Sequence, residues 1–437
     1  MSAAWLKSAP LCEPIRSLSS DRGAQDSKLA PRIVFVTRYL PFPSTSGDLI
    51  YSGQLALLLD QLAGHLVIVC APRPDMAPHV AAAATPKRLR ILPALQAGGG
   101  IARYPFRMSP KSAIGFDSSA NRKFLREYLG VYEPDIVAID HIGSSWALNP
   151  FIAHKQRSAR KPRLFYLAHN EEFTTRISIA LNAKSPSNML HYLDALKIRV
   201  QERRLLRESS LLSCITNADR ARYMQQISVP SMVLPPVYDR EVVKCRTIAS
   251  NMPRRVVVVS NFIWSAKLIN LEAFLSRAAP KLLFHGIEIE IVGRMSAKHL
   301  KYFRRRFPSV KILGEVDEVE PFLANARLGL LIDQAGGGFK FTMLNYVYNR
   351  LPVVALSCAL TDQDLRRFCA VSGNWDELAD NVIHLIDDID RLNALHESAY
   401  VGLDSFLSSS GFAGLRNFGE GTQTEAQRAW DGLLEMA

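Results

Sequence analysis

LGLLIDQAGGGFKFTMLNYVYNRLPVVAL, residues 328–356, carries one complete fold unit. An apolar run, LGLLID (328–333), meets the loop Gly336–Gly338; an amphipathic stretch follows, and then a second apolar run, PVVAL (352–356). Runs that are apolar throughout, rather than alternating, suit strands of a parallel sheet covered on both faces, and a helical crossover is the connection such strands need. The alternation extends outward over the chain. In the first half the runs are RIVFVTR (32–38), HLVIVCAP (65–72), DIVAID (135–140), RLFYLAH (163–169) and LLSCITN (211–217). In the second they are RRVVVVSN (254–261), IEIEIVG (287–293), VKILGE (310–315) and the two already quoted. The expected fold is therefore α/β, with two doubly wound domains. The break falls near 235–253, a polar, proline-bearing stretch with no strand of its own.

At 437 residues the chain is long enough for two cores of ordinary size, and 48% of it is apolar. No apolar run approaches the ~18 residues that span a bilayer. Residues 1–30 lack a secretory h-region and read as a flexible extension. Six cysteines lie far apart with no zinc spacing, so they read as free thiols of a cytoplasmic protein. A formal charge of +12 points to anionic partners: nucleotide phosphates, nucleic acid or an acidic membrane surface. No nucleic-acid-binding motif accompanies that charge, so nucleic acid is set aside.

In open α/β sheets a ligand lies beyond the carboxyl ends of the strands, so the loops there are the candidates. Gly336, Gly337 and Gly338 let backbone approach a ligand at a helix N-terminus, which carries roughly half a positive charge. Lys340 is badly placed for the helix dipole unless an anion is bound; the plain alternative is a loop with a solvated lysine. Lys267, in VSNFIWSAKLIN (259–270), would face the same cleft, whereas Trp264 reads as a core anchor. Gly47, in PFPSTSGD (41–48), offers backbone amides to a phosphate or sugar, or simply turns the chain. His169, in AHNEE (168–172), ends a strand that reaches the cleft, and His141 follows DIVAID. The triplets Asp362–Asp364 and Asp388–Asp390 read as solvated acids, and no metal site is expected.

Taken together these residues resemble the GT-B glycosyltransferases: two Rossmann-like doubly wound parallel-sheet domains facing a cleft. The resemblance covers about 31–430 and is strongest to the large retaining family 4-like group, with its sucrose synthase-like and mannosyltransferase-like members. RYLPFPSTSGDLIYSGQLALLLDQLAG matches the family's opening strand and loop; His169, Asn170 and Glu172 match its HN-plus-acid pattern; FIWSAKLINLEAFL and IEIEIVGR match later stretches. Against the donor motif, Lys340 falls on the basic position, Asn345 on the ribose-binding glutamate, and Arg350 on the glycine of the turn. The resemblance implies an acceptor domain at 31–240, a donor domain at 241–415 and a C-terminal helix at 416–437 crossing back to the first. It implies a nucleotide-sugar donor bound by Gly47, Gly336, Gly337, Gly338, Lys340, Asn345 and Arg294. Transfer would be metal-independent, with no cofactor and with His169, Lys340 and Lys267 at the reacting centre. The acceptor would be a glycan or a lipid-linked one, in exopolysaccharide or cell-surface glycan synthesis; the basic segments 90–111 and 196–210, which mix Arg and Lys with Leu, Ile and Phe, suit contact at an anionic inner membrane or are simply solvated helix faces. An inverting reaction would instead need Asp140, His141 or Glu172 as base. A nucleotide-sugar epimerase and a non-catalytic scaffold are the competing readings.

Overall fold

The computed structural model describes residues 30–44, 46–98, 104, 106–182, 188–238, 240–336, 338–360, 363–408, 415 and 424–435. Strands β1 (Arg32–Tyr39), β2 (His65–Ala71), β3 (Arg90–Leu92), β4 (Ile136–Asp140), β5 (Arg163–Leu167), β6 (Ser209–Cys214) and β7 (Ser231–Val233) form one parallel sheet in the order β3-β2-β1-β4-β5-β6-β7. Strands β8 (Arg255–Val259), β9 (Glu288–Val292), β10 (Lys311–Gly314), β11 (Leu328–Leu331), β12 (Val353–Leu356) and β13 (Ala370–Ser372) form a second, in the order β10-β9-β8-β11-β12-β13. In each, the strand order reverses beside the first strand, between β1 and β4 and between β8 and β11. These two switch points are where crevices open.

β1 shows why apolar runs become central strands. Its side chains alternate, so Ile33 and Phe35 enter one core cluster while Val34 and Val36 enter the cluster on the opposite face. All four are fully buried, each worth about 1.5–3 kcal/mol relative to exposure. β3, β7 and β13 were not expected from the sequence. Each has three residues and lies at or next to a sheet edge, too short to show a period. Among the described residues, no helix is long and apolar enough to cross a membrane.

Helix Phe341–Tyr348 is fixed on the second switch point by Tyr346, whose hydroxyl accepts from Val259 N at 2.8 Å. Gly329 in β11 makes room: a Cβ there would lie 2.7 Å from the Tyr346 ring. Among its described residues the stretch 235–253 contains no strand, and it ties to both domains. Val237 exchanges hydrogen bonds with Gln54, and Tyr238 stacks on Tyr348 at 4.5 Å. Arg350 adopts φ +53, a backbone region where glycine is favoured, yet its guanidinium donates to Val243 O and Lys244 O and lies 3.5 Å over Tyr400. The Arg350 side chain thus clamps a turn whose backbone would suit glycine. Helix Glu425–Glu435 returns to the first sheet and buries Trp430 against Phe165. Asp388 accepts from Arg391 N at the start of helix Ile389–Ser408, a capping role; Asp362 lies outside the described residues.

Candidate functional site

The loop after β8 leads into helix Ser265–Arg277, and the loop after β11 leads into helix Phe341–Tyr348, so two helix N-termini meet at one crevice. Asn270, buried in the first helix, shapes the second loop. Its Oδ1 accepts from Gln334 N and Ala335 N at 3.1 and 2.7 Å, and its Nδ2 donates to Ala335 O. Asp333, at the end of that strand run, pairs with Lys267 at 2.5 Å. Burial opposes ionisation of Asp333, but Lys267 and Lys340 outweigh it and hold the carboxyl below its ordinary value. Lys340 is the N-cap residue of its helix rather than part of the first turn, and is 7% exposed. Burial pushes its ammonium down to about 8, against the pull of Asp333. Two lysines around one aspartate leave a net positive charge facing the cavity, which suits an anion.

On the opposite wall, Asp140 ends β4 and His169 follows β5. His169 Nε2 donates to Asp140 Oδ1 at 2.7 Å, while Thr37 and Ser52 hydroxyls donate to Asp140 Oδ2 at 2.7 and 2.6 Å. With the proton on Nε2, the lone pair lies on His169 Nδ1. Burial opposes a charge on Asp140, but His169 and the two hydroxyls keep its carboxyl below the ordinary value. The expectation of Asp140 as a base is corrected here: it is sealed, 1% exposed, and its oxygens are occupied. His141 is likewise engaged at both nitrogens. Its Nδ1 accepts from Gly143 N at 2.9 Å and its Nε2 donates to Glu172 Oε1 at 3.2 Å. Glu172, despite burial, is held down to about 2 by His141, Asn170 and Arg176, which makes it a weak base.

Both walls enclose a cleft of about 350 Å³. His141, His169, Glu172 and Gly47 line it from the first domain; Lys267, Gly336 and Lys340 line it from the second. Asp140, Gly338, Asn345 and Arg294 are not on its wall. Gly338 (φ +74) instead meets the other domain: a Cβ there would sit 1.6 Å from Asn170 Oδ1. Gly47 also meets the other domain, packing where a Cβ would lie 2.9 Å from the Phe341 ring. Arg294 is half-exposed between Glu315 and Asp75. Asn345 is half-buried on its helix and accepts, through its carbonyl, from the Asn349 side chain. Gly337 lies outside the described residues.

The sequence reading missed Asp333, Arg38 and Arg176 on this wall. Asp333 carried a usable signal, an acid closing an otherwise apolar run; the arginines resemble any surface cation until the fold turns them inward. Trp264, expected in the core, is 53% exposed and lines the cleft, because it precedes its helix instead of lying on the helix's inner face. Among the described residues, no group of three His, Cys, Asp or Glu could hold a metal ion.

Residues 253–388 match the family model described as glycosyl transferases group 1. The fold is similar to that of sucrose-phosphate synthase from Thermosynechococcus elongatus, at 11% identity and TM-score 0.65, over 93% of this chain and 100% of that one. Anabaena Alr3699/HepE, solved in complex with UDP-glucose, is similar at 13% identity and TM-score 0.57, over 93% and 100%. WaaG, a glycosyltransferase involved in lipopolysaccharide biosynthesis, is similar at 14% identity and TM-score 0.59, over 89% and 100%. No curated protein is significantly similar in sequence. The architecture is the GT-B fold, two parallel-sheet domains about a cleft.

Proposed function

We propose that this chain, whose residues 253–388 match the group 1 glycosyl transferases, moves a sugar from a nucleotide-sugar to a glycan or lipid-linked acceptor, with retention and without a metal. The observation that carries the reading is the Lys267–Asp333–Lys340 cluster, set between two helix N-termini and facing His169 across the cleft. As the glycosidic bond to the donor breaks, negative charge builds on the departing diphosphate. Lys340, Lys267 and the backbone near Gly336 are placed to stabilise that charge. His169 Nδ1 accepts a hydrogen bond from a sugar hydroxyl and fixes the ring. The acceptor enters between Arg38, Glu172 and Arg176. One structural neighbour binds UDP-glucose and another is involved in lipopolysaccharide biosynthesis, which favours a uridine donor and a role in cell-surface glycan or exopolysaccharide synthesis.

Titrating the protein with UDP-glucose and other UDP-, GDP- and ADP-sugars, and reading the melting midpoint, tests this. One of them should stabilise the protein, and Lys340→Gln should abolish the shift. No shift with any donor would favour the scaffold reading, and conversion of the donor sugar without an acceptor would favour the epimerase. The Asp140–His169 pair supports a second outcome, inversion, in which His169 Nδ1 takes the acceptor proton. The anomeric configuration of the product, read by NMR, separates the two.

A further inference from the structure

Glu202, on helix Asn188–Glu208, is fully buried behind the turn that carries His169, Asn170 and Glu172 to the cleft. Its Oε1 lies 2.9 Å from Glu172 N and 2.6 Å from the hydroxyl oxygen of Tyr223, while its Oε2 has no hydrogen-bond partner. The same hydroxyl lies 2.8 Å from the carbonyl oxygen of Asn170. Tyr223, on helix Asn217–Met224, is fully buried as well.

The hydrogens here do not balance with an ionised Glu202. A phenol carries one O–H, whereas a backbone carbonyl and a carboxylate are acceptors only. Both contacts of the Tyr223 oxygen have the length of a full O–H···O hydrogen bond, so one hydrogen would have to serve two acceptors. A proton on Glu202 Oε1 supplies the second. That hydroxyl donates to Tyr223 Oη and accepts from Glu172 N, and Tyr223 donates to Asn170 O. Oε2 is then the carbonyl of a neutral acid, and leaving it without a partner costs far less than stranding a charged oxygen. The setting agrees: burial above all, with like charge from Glu171 and Glu172 added, pushes the Glu202 carboxyl well above its ordinary value.

We propose that Glu202 is a neutral carboxylic acid and a positioning residue, which fixes the turn bearing His169 and Glu172 through Glu172 N and through the chain from Glu202 to Tyr223 to Asn170 O. An ionised Glu202 would take the Tyr223 hydrogen and leave Asn170 O without it. Asn170 also meets Gly338 of the second domain, so the chain braces the turn where the two walls touch. The consequence for binding rests on the glycosyl transfer reading. There His169 holds the donor sugar, so a loosened turn costs the sugar's share of donor affinity and spares the nucleotide's.

Infrared difference spectra of the full chain at neutral pH, wild type minus Glu202→Gln and without nucleotide, test the proton. The carbonyl band of a protonated carboxyl is expected; a carboxylate band in its place overturns the proposal. Tyr223→Phe keeps the ring in the core and removes the acid's acceptor, so the protonated band should persist and move to higher frequency. That second difference serves even if Glu202→Gln does not fold, and an unmoved band overturns the chain. In Tyr223→Phe, affinity for UDP-glucose should fall on the order of tenfold, the effect of a buried acceptor left without its donor, while affinity for UDP stays unchanged. Equal loss for both ligands, or no loss, overturns the positioning role. Binding of neither ligand to the wild type would end the glycosyl transfer reading and leave the infrared result standing.

Discussion

Lys340 is a cation kept where cations are costly, and its chemistry should be visible in solution. Its ammonium, lowered by burial to about 8, loses its charge as pH rises through that value. An anion bound beside it restores the charged form, so the bound-state value is higher than the free one and binding takes up protons between the two. UDP titrated calorimetrically near that pH, in buffers of different ionisation enthalpy, should show proton uptake, with affinity falling above it. In Lys340→Gln both effects should vanish, and affinity should drop by about 1.5–3 kcal/mol, the worth of a charge-assisted hydrogen bond. Asp140→Asn makes a different prediction. If the asparagine oxygen keeps the Thr37 and Ser52 hydroxyls, its amide faces His169 Nε2 and drives the imidazole proton to Nδ1. kcat should then fall about 10–100-fold with donor KM nearly unchanged; a change confined to KM would sink the assignment. At this scale the sequence was half legible. His169 and Lys340 stand out because of their place after strands, whereas the sealing of Asp140 depends on Thr37 and Ser52, distant in the chain.

Among the elements, long apolar strands could be read directly because parallel sheets demand unbroken apolar runs. β3, β7 and β13 could not, since three residues beside or at an edge carry no periodic signal. Which residues of helix Asn188–Glu208 face inward was also hidden: beside the apolar Ala195, Ile198, Leu205 and Leu206 it buries Asp194 and Lys197, which hold Tyr104, a residue distant in the chain. Arg350 offers a test of how a side chain's contacts offset a strained backbone. Its φ of +53 costs about 1–2 kcal/mol that glycine would not incur. Arg350→Ala should lose the clamp and keep that strain; Arg350→Gly should lose the clamp and relieve it. Urea unfolding should therefore rank wild type above Gly and Gly above Ala, with the two variants about 1 kcal/mol apart. Equal midpoints for the variants would show that the backbone there relaxes.

For the molecule as a whole, both domains and a cleft between them were legible, but their degree of closure was not, because it is set by contacts between loops distant in sequence. The structure is closed on the loop after β11: Gly336 N donates to Ser178 Oγ at 3.2 Å, Phe341 packs on Gly47, and Gly338 lies under Asn170. Gly338→Ala would drive a methyl into Asn170 and hold the cleft open. Small-angle scattering should show a larger radius of gyration for this variant, and Asn170→Gly in the same chain should restore the smaller one. An unchanged radius in the single variant would mean the loop yields instead of the domains.

Helix Glu425–Glu435 has a bearing on how the protein is made. It seats Trp430 on a sheet whose strands were completed by Val233. During synthesis the first half leaves the ribosome early, yet Phe165 waits uncovered until nearly the whole chain has been translated. The later half, with its own core cluster, is ready before the earlier one is finished. Ribosome-bound chains stopped before residue 424 should therefore be cut by protease in the first half while the second resists.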